Sequence, residues 1–253
     1  MLVGLVALFT VLSLTAGQAH AQISDGIVKI GVLNDESGPY ATLAGPGSRV
    51  AALMAVEDFG AAAKGMTVEI VFADHQNKPD VGGKIARQWY DAEKVDVIVD
   101  VPTTSVVLAI NQIAREKGKA LLVSSAGASD LTGTACSPNT IHWTYDTWAL
   151  AHSTGKALVK SGGDTWFFLT ADYAFGHTLE HDVEAVVLEN GGKVLGKIRH
   201  PFPTSDFASF LLQALPPDRP SSRDRGRDGQ RADLTPASSG LARTSSPPSG
   251  PRS

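Results

Sequence analysis

The sequence predicts an α/β protein built on parallel sheets. Three observations carry this. Short apolar runs alternate with segments of helical period along the chain. Each early run ends in a loop of small polar residues before the next helix, and strand, loop and helix repeat three times. The alternation then starts again near residue 145, so a second α/β lobe is expected. Repeated strand–helix alternation favours parallel strands joined by right-handed crossovers.

The elements follow in order. Val28, Ile30, Val32 and Leu33 form the first strand, and Ser37-Gly38-Pro39-Tyr40 breaks it. Gly45-Pro46-Gly47-Ser48 introduces a helix from about Arg49 to Phe59, with Ala51, Ala52, Ala55, Val56 and Phe59 at helical spacing. Met66 to Ala73 reads as the second strand. Pro79 suits the first turn of the next helix, where its missing N–H is no loss. Val95 to Val99 and Ala120 to Val123 are the third and fourth strands, with a helix from about Val106 to Lys117 between them. Ile141 to Thr144 is a short extended piece, and Asp146 to Ser161 reads as one helix. Strands at Trp166–Leu169 and Lys193–Arg199 flank a helix that runs to about Glu189, and another helix begins at Asp206. Trp143, Trp148 and Trp166 read as core or lobe-junction residues, and Asp35-Glu36 as solvated carboxylates in a turn.

The ends differ from the middle. Met1 to Thr15 is apolar and uncharged, too short for a spanning helix, and Ala19-His20-Ala21 supplies a small-x-small cleavage pattern. Residues 1–21 are read as a signal peptide, with a buried N-terminal helix as the alternative. The stretch 215–253 has no aromatic residue and no Val, Ile, Met or Lys, yet holds seven of the 14 prolines and seven arginines. Such a segment has too little apolar surface to offset its ordering entropy and is expected to be disordered. The abrupt shift is read as a change of reading frame in GC-rich DNA. An evolved basic tail that binds acidic partners is the alternative, although the boundary cuts a helix in mid-pattern. Net charge of −4 gives no support for nucleic-acid binding. The one cysteine, Cys136, excludes an internal disulfide, which suits a bacterial periplasm, and it reads as a loop residue without a role.

Candidate site residues lie after the strands. Ser37 and Tyr40, Thr103 to Ser105, and Ser124 to Ser129 all follow strand carboxyl ends, where open α/β sheets bind ligands. Small hydroxyls and free backbone N–H groups near helix starts suit a carboxylate. Tyr40 suits the apolar remainder of a small ligand. The competing role for each Ser or Thr is helix capping. His177-Thr178-Leu179-Glu180-His181 matches the inverted zinc-peptidase pattern H-x-x-E-H, which needs a third ligand and a cleft. No phosphate loop, dinucleotide fingerprint or serine elbow is present. No cofactor and no metal are therefore expected, and a zinc-dependent hydrolase stands as the enzymatic alternative.

Several ordered motifs carry a family likeness. Lys29-Ile30-Gly31-Val32-Leu33 with Ser37-Gly38-Pro39-Tyr40 resembles the opening of the periplasmic, branched-chain-amino-acid-type (leucine-binding-protein-like) solute-binding proteins of ABC transporters. Asp74-His75-Gln76-Asn77-Lys78-Pro79-Asp80, Lys94 to Val99, and Asp172-Tyr173-Ala174-Phe175-Gly176 fit the same family. The likeness covers about residues 26 to 214. It implies a two-lobed type I clamp, here with a first lobe at 22–144 and a partial second lobe at 145–214. Such proteins bind a small molecule and deliver it to a membrane permease without covalent chemistry. A monomer in the periplasm is expected. The ligand implied is a small amphipathic acid: a branched-chain amino acid, an amide or an aromatic acid. Thr103 and Thr104 would sit at the hydroxyl loop after the third strand. Ser125, Ala126 and Gly127 would offer backbone and side-chain polar groups, Tyr40 would line the first-strand loop, and Tyr173 and Phe175 would close from the second lobe. A ligand-sensing regulatory domain on the same fold is the remaining alternative; the leader argues against it.

Two departures from the family matter. Gly127 stands where amino-acid binders often carry a hydroxyl residue. Family members also continue well past residue 214, so the second lobe and its later acidic ligand contact are expected to be missing. Weak or absent ligand binding, low stability and uncovered apolar surface follow.

Overall fold

The structure is a computed structural model that describes residues 26–214. The expected signal peptide and aberrant tail lie outside the described residues. The first sheet has five strands, all parallel, in the order β2-β1-β3-β4-β5. These are β1 (Ile27–Asn34), β2 (Thr67–Asp74), β3 (Val97–Asp100), β4 (Ala120–Val123) and β5 (Thr140–His142). Helices α1 (Gly45–Phe59), α2 (Pro79–Asp91) and α3 (Thr104–Lys117) make the crossovers. Strand order reverses between β1 and β3, so a topological switch point lies at their carboxyl ends.

The second sheet pairs β6 (Thr165–Ala171) with β7 (Lys193–His200), again in parallel. It is preceded by α4 (Thr147–Leu150), a π-helical turn at Ala151–Gly155 and α5 (Lys156–Lys160). Helix α6 (Ala174–Glu189) is the crossover, and α7 (Ala208–Gln213) follows β7. The single helix expected over 146–161 thus runs without a gap from 147 to 160, with a π-helical turn at its middle. Ser153 Oγ donates to the carbonyls of Ala149 (2.7 Å) and Leu150 (3.2 Å), and His152 Nδ1 bonds the Trp148 carbonyl at 2.9 Å. Side chains competing for these carbonyls accompany the wider turn.

One face of the first sheet is a dense core under α2 and α3. Leu33, Ile98, Val106, Val107, Ile110 and Leu121 are fully buried there, each stabilising by roughly 1.5–3 kcal/mol. Trp89 of α2 packs against β1 at Gly31, where a Cβ would stand 2.4 Å from the indole ring. Gly31 is therefore a close-approach glycine.

The opposite face is thinly covered. Helix α1 starts at Gly45, earlier than its spacing suggested, because Pro46 fits the first turn. It buries almost nothing: Val50, Leu53, Met54 and Phe59 are all about half exposed or more. Beside it lies an apolar groove of ≈ 520 Å³ lined by Val32, Val99, Leu122, Ile141 and Trp143. Trp143 is 80% exposed and Trp148 is 55% exposed, stacked on His152 at 3.8 Å. Of the two places expected for them, core or lobe junction, the core is excluded for both. The tryptophan of the core is Trp89, brought in by the amphipathic face of α2.

Candidate functional site

The carboxyl ends of β1, β2, β3 and β4 share one edge. Asp35, just after β1, is fully buried, not solvated as its turn context suggested. Its carboxylate accepts the backbone N–H groups of Gly38 and Tyr40, each at 2.9 Å, and so folds the turn back onto the strand. Asp74, at the end of β2, accepts the Ser37 hydroxyl at 2.6 Å and the N–H groups of Glu36 and Gln76. Burial pushes its pKa up, but these three donors together hold it below the usual carboxylate value.

This turn aims Tyr40 at the second sheet. Its hydroxyl bonds the hydroxyl of Tyr173, the residue before α6. Tyr173 stacks on Phe202, ring centroids 4.4 Å apart, and Phe202 also lies 5.7 Å from Tyr40. Phe175 is 6.2 Å from Tyr173. Burial raises the pKa of both tyrosines, so they stay protonated. Tyr173, Phe175 and Phe202 line one end of a groove of ≈ 390 Å³ between β6 and α6.

Thr103 and Thr104 are buried. Thr103 occupies the cap position of α3 but makes no side-chain cap bond; its hydroxyl goes to Asn77 Oδ1 at 2.8 Å. Ser124 and Ser125 both donate to Asp100 Oδ1, at 3.0 and 3.1 Å. Asp100 and Val101 take φ of 80° and 55°, an uncommon region for residues with side chains. The Ala126 carbonyl bonds His142 Nε2 at 2.7 Å, and the Gly127 carbonyl accepts the N–H of Thr147 at 2.8 Å. A Cβ on Gly127 would meet Phe175 and Tyr145 at 3.2 Å each. A larger residue there would crowd the aromatic side of the cleft.

The structure therefore brings Tyr40, Gly127, Tyr173 and Phe175 to one junction. The hydroxyls of Thr103 and Ser125 are turned to internal partners, and Thr104 is buried in the first turn of α3. Sequence reading missed Tyr145, Phe202 and Asp100. Phe202 and Asp100 lie at strand carboxyl ends, the same signal that picked out the others.

In the H-x-x-E-H stretch, His177 and Glu180 bond partners within the second sheet and its loop. His177 Nε2 bonds Asp172 Oδ1 at 2.7 Å. Glu180 is buried, takes the Thr170 hydroxyl, and lies 3.6 Å from Lys197 and 3.7 Å from Arg199. Among the described residues no three His, Cys, Asp or Glu side chains group around a possible metal position.

Two parallel sheets, each with binding-type loops at strand ends and an aromatic junction between them, define a clamp-type binding fold. The family described as periplasmic binding protein matches residues 27–215, and the chain belongs to it. Leu/Ile/Val-binding protein homolog 6 of Brucella abortus (strain 2308) is 26% identical over 202 residues, 79% of this chain and 50% of that protein. A solved periplasmic binding protein from Burkholderia mallei is 51% identical with a TM-score of 0.73, over 76% of this chain and 51% of that one. An ABC-transporter solute binding protein from R. palustris, solved in complex with benzoate, is 27% identical with a TM-score of 0.67, over 74% and 52%. The chain thus spans about half the length of each of these relatives. The family and these neighbours are solute-binding proteins, not enzymes.

Proposed function

We propose that this chain is the ligand-gripping part of an extracytoplasmic solute-binding protein that hands a small amphipathic acid to the permease of an ABC importer. The lobes divide between Thr144 and Tyr145, and the protein works as an exported monomer in the periplasm. One observation carries the reading. The aromatic junction of Tyr40, Tyr173, Phe175 and Phe202 lies between loops that follow β1, β6 and β7. On the first-sheet edge, α3 begins with no side-chain cap, which leaves its first N–H groups to a carboxylate. Flat, stacked rings favour a planar acid over a branched aliphatic one. The benzoate held by the R. palustris relative supports that preference.

The test is thermal unfolding of the purified chain with benzoate, leucine or chloride added. A rise in Tm with benzoate, through affinity on the order of millimolar, supports the proposal. Micromolar affinity would contradict the expected weakness of this chain. No shift with either acid at tens of millimolar, about tenfold above that affinity, overturns the ligand class.

A further inference from the structure

His75 follows β2 and is fully buried. Its N–H donates to the Asn34 carbonyl, and its own carbonyl accepts from Lys78, both at 2.9 Å. Its Nδ1 accepts the backbone N–H of Asn77 at 3.1 Å. A backbone N–H can only donate, so Nδ1 is bare and the neutral ring carries its proton on Nε2. Among the described residues, Nε2 of His75 and Oδ2 of Asp100 are both buried without a hydrogen-bond partner.

Asn77 extends this contact to the candidate site. Its Oδ1 accepts the Thr103 hydroxyl at 2.8 Å. The Thr103 carbonyl takes the N–H groups of Val106 and Val107, at 3.0 and 2.9 Å, which starts α3. Gln76 and Asn77 sit at φ of 55° and 57°, so the turn needs its bonds to hold it. A path of direct contacts runs from the imidazole to the amino end of α3.

We propose that neutral His75 is a positioning residue for the solute-binding edge, and that acid releases that edge by protonating Nδ1. A protonated Nδ1 sets a donor against the Asn77 donor. The charges that face the ring are Asp35 after β1, Asp74 at the end of β2 and Asp100 at the end of β3. Burial outweighs their attraction for a proton and holds the group below the ordinary histidine value. The functional meaning rests on the solute-binding reading. The mechanical link does not, and it is tested without any ligand.

The test is amide hydrogen exchange read by NMR at about pH 7.5 and about pH 5.0, corrected for intrinsic exchange. Expected is about a tenfold or greater loss of protection at Asn77 on acidification, with Val106 and Val107 following. The amide of Val32 in the core of β1 should not change. His75→Asn places an acceptor oxygen at the Nδ1 position that takes no proton in this range; it should keep Asn77 protected at both pH values. His75→Leu should lose the protection at both. Asn77 protection that ignores pH in the natural chain overturns the proposal, as does His75→Asn behaving like the natural chain. If His75→Leu does not fold, the comparison with His75→Asn decides alone.

Discussion

The hydroxyls of Tyr40 and Tyr173 meet each other across 133 positions of chain. One belongs to the turn after β1 and the other precedes α6, so a loop of the first sheet is tied to a loop of the second. Neither hydroxyl gains from the contact if its mate is removed. Tyr40→Phe, Tyr173→Phe and the double variant should each lose about 0.5–1.5 kcal/mol, with the double no worse than either single. Urea unfolding of the four proteins measures this. Additive losses would show that the hydroxyls act independently.

Acid should weaken the fold in two steps. His75 is held below 6.5, so the unfolded chain binds the proton first, and stability falls as pH drops below 6.5. Asp74 is held below 3.8, so a second loss begins as pH drops below 3.8. Urea midpoints across this range should show both descents. Ser37→Ala removes one donor to Asp74 and should shrink the second descent alone.

Gly31 and Trp89 allow a sharper packing test. Gly31→Ala puts a methyl into the indole and should cost about 1–3 kcal/mol through displacement of Trp89. Near-ultraviolet circular dichroism should change with it. A neutral Gly31→Ala would mean that α2 rides loosely on the sheet.

Glu180 should matter for stability and not for metal. Glu180→Ala removes the buried acceptor of the Thr170 hydroxyl and leaves it unpaired, while Lys197 keeps Glu184 and Arg199 keeps Asp172, so a loss of about 1–3 kcal/mol is expected. Thermal unfolding with and without EDTA should coincide, and His181→Ala should leave Tm nearly unchanged. Stoichiometric zinc in the purified protein would refute this.

The sequence made the framework legible because parallel α/β units write themselves as local alternation. The strand at 120–123 was read to the residue, and α2, α3 and α6 within a few positions. Burial was less legible, because periodicity says which residues share a face but not whether anything covers it. Ala51 and Ala52 do face the sheet from α1, yet the groove they line stays open. The loops were hardest. Thr103 and Ser125 were correctly placed at strand ends, but a hydroxyl donates to the nearest buried acceptor. Here Asn77, in the turn after β2, and Asp100, at the end of β3, are those acceptors. Tyr145 also follows a strand end, three residues after β5, and the same signal could have found it.

The five-stranded sheet draws every strand from residues 27–142, and each crossover is short. Among the described residues no strand after β5 joins it. Synthesis proceeds at about 5–20 residues per second, whereas local collapse takes microseconds. This part of the chain can therefore pair its strands at the ribosome exit before β6 has emerged. Tyr40 would then stand ready on a finished platform, and Tyr173 would arrive as the late partner.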